Sequence, residues 1–174
     1  MTTWVLFAGL PGTGKTTLAV ALARRFNAAV LDKDRVRAAL FPGELTDYTA
    51  AQAQLCVRAM LEAAAYMTER HQVNYVFVDG RTFSRQADVE EVLAAAKHAG
   101  AGWRILHVIC ADTVAEERLA HNDPTHPARN RGPALYQQIK QRYEPLLQPH
   151  LTVDTTFGFD GQLEAVAAYL RVSN

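Results

Sequence analysis

The chain is short of several things, and each shortage removes a class of explanation. It has two cysteines in 174 residues, Cys56 and Cys110, each inside an apolar run and without C-x-x-C spacing. A disulfide framework is therefore not expected, and a reduced, cytoplasmic protein is. Neither charge is in excess, since 18 lysines and arginines balance 18 aspartates and glutamates. No global field draws such a chain to duplex nucleic acid or to an anionic membrane. No apolar run approaches the roughly 18 residues of a spanning helix, and the first strand-like run starts too near Met1 to leave room for a secretory leader. Repeats, low-complexity tracts and Pro- or Ser-rich linkers are missing too. The remaining composition, 49% apolar and 21% charged, is that of an ordinary soluble domain, and residues 1–174 are expected to form a single one.

Against that plain background, residues 4–22 read WVLFAGLPGTGKTTLAVAL. Gly9 to Thr16 satisfies G-x-x-x-x-G-K-[ST], the Walker A or P-loop pattern, without a mismatch. Val5 to Ala8 is an apolar run suited to a buried strand, and Thr17 to Ala23 has helical composition. In a strand–loop–helix setting, backbone N–H groups between Gly12 and Thr16 converge on a phosphate at a helix N-terminus. Gly9, Pro11, Gly12, Thr13, Gly14, Lys15, Thr16 and Thr17 are the expected nucleotide-phosphate ligands. Lys15 adds a point charge near the β- and γ-phosphates, and Thr16 a hydroxyl for Mg²⁺.

Strand and helix alternate along the rest of the chain. Helix 15–26 ends near Asn27, strand 28–31 leads into Asp32-Lys-Asp34-Arg-Val-Arg37, and a short helix runs over 35–40. Residues 49–70 predict a long helix whose stripe is Leu55, Ala59, Glu62, Ala63, Tyr66 and Met67. Strand 73–78 ends in Asp79-Gly80-Arg81-Thr82. Helix 85–99, with Ser84 as its cap, stops at Gly100. An apolar strand spans 103–110, and a helix capped by Asp112 or Thr113 ends near Ala120. HNDPTHPARNRG, residues 121–132, reads as an exposed loop. Pro133 opens a helix to about Leu147, followed by strand 151–155 and helix 160–172. The pattern is a parallel α/β sheet of five strands with helices on both faces.

Several side chains then suggest chemistry. Val76-Phe-Val-Asp79 has the Walker B form, so that Asp79 either holds Mg²⁺, directly or through water, or orients an acceptor. Asp34 and Arg37 are one helical turn apart at the edge of the sheet where ligands bind. Asp32 and Asp34 are the candidates to take a hydroxyl proton, with Arg37 able to hold an anionic group beside Asp34. The competing reading makes Asp32 or Asp34 a helix cap and Arg37 its surface partner. Arg118, Arg129 and Arg131 are the candidates for charge on the γ-phosphoryl oxygens. His121, Asp123 and His126 lack the supporting ligands of a metal site. His71, His98, His107 and His150 look scattered.

The order of these motifs resembles the P-loop small-molecule and polynucleotide kinases: G-x-P-G-x-G-K-T-T at 9–17, D-x-D-x-x-R at 32–37, an apolar run plus Asp-Gly-Arg at 79–81, an arginine-bearing loop, and Arg142-Tyr-Glu-Pro145. That group includes phage-type polynucleotide 5′-kinases, gluconate kinase-like enzymes, chloramphenicol phosphotransferase and the zeta toxins. The resemblance implies a three-layer P-loop NTPase fold with sheet order 2-3-1-4-5, Mg-ATP at the P-loop and a lid at about 121–132. It also implies Asp34 as acceptor-side base, Arg37 as acceptor-anion contact, and Asp79 as a second acceptor-side or metal-linked acid. Arg81 joins Asp34, Arg37 and Asp79 on the acceptor side, where Tyr48 and Phe83 could add stacking. The lid lacks the close R-x-x-x-R pair of several members, which leaves the γ-phosphate arginine open. The expected activity is transfer of the γ-phosphoryl of Mg-ATP to a hydroxyl of a small-molecule or nucleoside-type acceptor. A polynucleotide 5′-hydroxyl is the less favoured acceptor, and a nucleotide-dependent switch the alternative of another class.

Overall fold

The computed structural model describes residues 1–71, 73–121 and 132–171. Its strands are β1 (Thr3–Ala8), β2 (Ala29–Asp32), β3 (Tyr75–Asp79), β4 (Gly102–Ile109) and β5 (Leu151–Asp154). They pair in parallel in the order β2-β3-β1-β4-β5, as the resemblance implies. Between them run α1 (Lys15–Phe26), α2 (Lys33–Leu40), α3 (Ala50–Tyr66), α4 (Gln86–His98), α5 (Asp112–Ala120), α6 (Pro133–Lys140) and the closing α7 (Leu163–Arg171).

Alternation along β1 builds two cores at once. Trp4, Leu6 and Ala8 join Val57, Met60 and Ala64 of α3 and Val89 and Val92 of α4 on one face. Val5 and Phe7 join Leu18 and Leu22 of α1 and Val166 and Leu170 of α7 on the other. Covered on both sides, β1 is apolar from Trp4 to Ala8, and each large buried side chain contributes roughly 1.5–3 kcal/mol. The strand therefore makes a rigid base for the glycine-rich loop that follows it.

Three local expectations are corrected. The buried stripe of α3 is Gln52, Cys56, Val57, Met60, Leu61 and Ala64, whereas Leu55 is 42% and Tyr66 58% exposed. The helix past Pro133 stops at Lys140 rather than near Leu147. Tertiary bonds take over there: Glu144 N–H donates to Ser84 O at 2.9 Å, and Gln86 N–H donates to Glu144 Oε2 at 2.6 Å. Pro145 also disfavours helical backbone at Glu144. The residues at the N-cap positions of α4 and α5 are Arg85 and Ala111, and neither forms a side-chain capping bond, so Ser84, Asp112 and Thr113 do not fill that role.

Candidate active site

The loop from Gly9 to Gly14 leaves β1 at the C-terminal edge of the sheet. Gly9 has φ 141°, and a Cβ there would fall 2.1 Å from Val108 O of β4, so only glycine lets the loop pass so close to its neighbour. At the far end of the loop, no side chain caps α1, and its first turn contains no acid. The first N–H groups of that helix and the positive end of its dipole are thus directed at whatever anion enters. Lys15 donates to the carbonyls of Gly9 (2.8 Å) and Leu10 (2.7 Å), which hold its ammonium at the mouth of the loop. Thr13 is tied in by its hydroxyl to Leu10 O at 2.9 Å.

In the sheet, β3 lies between the P-loop strand and β2, and the register sets Asp32 beside Asp79. Asp79 is 0% exposed, and neither carboxylate oxygen has a hydrogen-bond partner among the described residues. Burial pushes its carboxyl up, with the Thr16 hydroxyl and the Lys15 ammonium pulling the other way. Thr16 is near enough to favour the ionised form without reaching hydrogen-bond geometry. A buried acid with two partnerless oxygens beside a hydroxyl is a pair of hard oxygen donors suited to a divalent cation.

Asp32 caps α2, its Oδ1 accepting from Asp34 N–H at 2.8 Å, so the capping reading holds for Asp32. That leaves Asp34 free to face the cleft. Arg37 Nη1 donates to Asp34 Oδ1 at 2.8 Å, and Lys33 Nζ lies 3.5 Å from the same oxygen. The Arg37 side chain is only 7% exposed, its guanidinium sits 5.2 Å over the Tyr48 ring, and its Nε has no partner among the described residues. Gly80 makes this packing tight, because a Cβ there would lie 2.6 Å from Lys33 N. A cleft of about 360 Å³ separates the two sides, with Lys15 and Thr16 on one wall and Lys33, Asp34 and Arg37 on the other.

The remaining candidates sit less centrally. Arg81 lines the cleft, but its guanidinium is held by Asp88 at 2.7 Å and Glu91 at 3.4 Å. Arg118 reaches the P-loop from α5, donating to Thr155 O (2.8 Å), Thr155 Oγ1 (3.1 Å) and Gly12 O (3.4 Å). It does not line the cleft beside Asp34. Gly12 and Gly14 shape the loop with positive φ, Pro11 lines the cleft, and Thr17 is exposed. Phe83, considered for stacking, is buried in the core. Arg129, Arg131, Asp123, His126 and most of the lid lie outside the described residues.

Sequence reasoning missed Lys33, to which it gave no role. It also missed that His107 and His150 meet, edge to face at 5.5 Å, with Tyr143 stacked on His107 at 6.1 Å. Burial and the neighbouring His150 pull His107 down, and burial pushes the Tyr143 phenol up to about 12. No group of three or more potential metal-ligating side chains occurs among the described residues, and none of their helices is long and apolar enough to cross a membrane.

Comparison with known proteins agrees with the fold. Residues 5–146 match the family described as AAA domain. A Chloroflexus aurantiacus j-10-fl protein provisionally assigned as a kinase superposes with TM-score 0.77 at 22% identity, covering 98% of this chain and 99% of that one. The Mycobacterium tuberculosis APS kinase, solved with AMPPNP and APS, gives 0.72 at 18% identity, covering 98% of each chain. A gluconokinase from Sinorhizobium meliloti 1021 gives 0.69 at 16% identity, covering 97% of this chain and 91% of that one. These likenesses are to the fold. Nothing among curated proteins matches the chain.

Proposed function

The chain belongs to the AAA domain family and has its P-loop NTPase-like fold, and on that premise we propose an ATP-dependent phosphotransferase that acts on an alcohol. The observation that carries this reading is the second wall of the cleft. A switch protein needs the phosphate loop but has no use for a carboxylate and an arginine set across from it. Here Asp34 and Arg37 share the cleft with Lys15 and Thr16. Two of the fold neighbours being named as kinases supports the same direction.

In this reading residues 1–174 work as one unit. The α1 N-terminus and Lys15 hold the β- and γ-phosphates of ATP. Thr16 and Asp79 would hold Mg²⁺, which when bound neutralises charge on those phosphates. Asp34 orients the acceptor hydroxyl and takes its proton. As the bond from that oxygen to the γ-phosphorus forms, the bond from phosphorus to the β–γ bridging oxygen breaks and ADP leaves. Arg37 holds Asp34 and the acceptor in place, and Arg118 and the loop arginines Arg129 and Arg131 belong to the donor side.

The test uses labelled ATP with separate pools of metabolites and oligonucleotides. Asp34→Ala should lower transfer at least about 100-fold, the usual worth of a general base, while ATP affinity moves little. Transfer that survives within a few-fold would show the base to be misassigned.

A further inference from the structure

Resting on the phosphotransferase reading, the charge inventory of the acceptor wall narrows the acceptor itself. Among the described residues lining the cleft, the only carboxylate is Asp34, against Lys15, Lys33, Arg37 and Arg81. Two of these cations are already committed elsewhere: Lys15 to the phosphate loop, and Arg81 to Asp88 and Glu91. Lys33 and Arg37 are left to share one oxygen of Asp34, at 3.5 Å and 2.8 Å. All three side chains are largely buried, so two cations face one anion where water screens poorly.

Three further observations point the same way. Arg37 Nε is buried without a partner among the described residues. Lys33 is pulled below the ordinary lysine range, first by burial, with Arg37 and Arg81 adding to that and Asp34 opposing. The N-terminus of α3 opens on the cleft through Thr49 and Ala50, and its first turn has no acid. A neutral alcohol leaves this surplus of positive charge where it is. An acceptor that carries its own negative group removes it.

We infer that the acceptor is a small hydroxyl-bearing anion, a hydroxy acid or a phosphate monoester, whose charged group is held by Lys33 and Arg37 while its hydroxyl meets Asp34. The cleft volume of about 360 Å³ lies at the small end of small-molecule sites. Among the described residues, the two aromatic candidates for stacking a nucleic-acid strand are compromised: Phe83 is buried, and one face of Tyr48 is taken by Arg37. Lys33 is thus a specificity-determining residue.

The experiment compares acceptors matched in size and hydroxyl number: ribitol, ribonate and ribitol 5-phosphate, then glycerol, glycerate and glycerol 3-phosphate, with a 5′-hydroxyl oligonucleotide alongside. The full chain and Mg-ATP are used throughout. In at least one set, kcat/KM for an anion should exceed that for its neutral counterpart by about 30-fold, as charge-assisted hydrogen bonds do. The carboxylate and phosphate arms show which anion is preferred. Lys33→Met should raise KM for that anion about 10-fold, more than it lowers kcat, and Lys33→Arg should recover most of the loss. Equal use of neutral and anionic acceptors, label confined to oligonucleotide ends, or a KM unmoved by Lys33→Met would overturn the inference.

Calorimetric titration of the same anions without ATP separates this inference from the kinase reading. If wild type binds ribonate or glycerate, Lys33→Met does not, and no acceptor is ever phosphorylated, the anion site stands and the phosphotransferase falls. If no anion in the panel binds wild type, the anion site falls even where a neutral alcohol is phosphorylated.

Discussion

A carboxylate buried with both oxygens unpartnered lowers the stability of the fold that contains it, and Asp79 is such a group. Its raised pKa fixes the sign of the pH dependence. The folded state binds this proton more tightly than the unfolded state, so the penalty is absent below the ordinary Asp value of about 3.9 and grows as pH rises above it. Asp79→Asn should therefore raise Tm at neutral pH by about 2–4 °C, an advantage that fades in acid. On the proposed function Mg-ATP should raise the wild-type Tm further, and the same substitution should reduce that rise. Thermal unfolding at pH 4 and pH 7, with and without Mg-ATP, checks both halves. An Asn variant less stable than wild type at pH 7 would mean that Asp79 is satisfied by groups inside the fold. At this scale the site was partly legible. Lys15, Thr16, Asp34 and Asp79 follow from motif and strand-end position, whereas Lys33 does not, because nothing in Asp-Lys-Asp says which of the three side chains turns inward.

The elements were mostly readable because apolar periodicity and turn residues agree along the chain, as in β1, α1 and β4. The phase of α3 was not. Two stripes on that alanine-rich helix are apolar at spacings of three and four, and only packing selects the one with Cys56, Met60 and Ala64. Nor was the early stop of α6, which depends on Ser84 and Gln86, distant in sequence. The joint that matters most for the site is where β3 ends against the start of α2. Gly80 has φ 81° and no room for a Cβ, with Lys33 N at 2.6 Å and Asp32 Oδ1 at 2.7 Å. Gly80→Ala should cost roughly 2–4 kcal/mol through backbone strain and overpacking, and should raise the acceptor KM by displacing Lys33 and Asp34. Urea unfolding and steady-state kinetics measure the two effects. A variant as stable as wild type would show that α2 can shift to make room.

Across the molecule, the loop after β5, the P-loop and α5 are clamped together by one arginine. Arg118 donates to Thr155 and Gly12, and Thr155 Oγ1 in turn donates to Thr13 O at 2.8 Å. As a strut, Arg118→Met should cost about 1 kcal/mol, because the residue stays exposed, and should raise the KM for ATP several-fold while turnover changes little. If turnover instead drops by about 100-fold or more at unchanged stability, Arg118 is a group that stabilises the transferring phosphoryl. The sheet order has a consequence for how the protein is made. The strands that carry the phosphate loop and Asp34 both emerge early from the ribosome, yet they never pair with each other, since β3 must insert between them. Until Tyr75–Asp79 has been synthesised and inserted, β2 has no neighbour and the two walls of the cleft have no fixed spacing. Binding that needs both walls of the cleft therefore cannot help to order the N-terminal part of the chain until the third strand arrives.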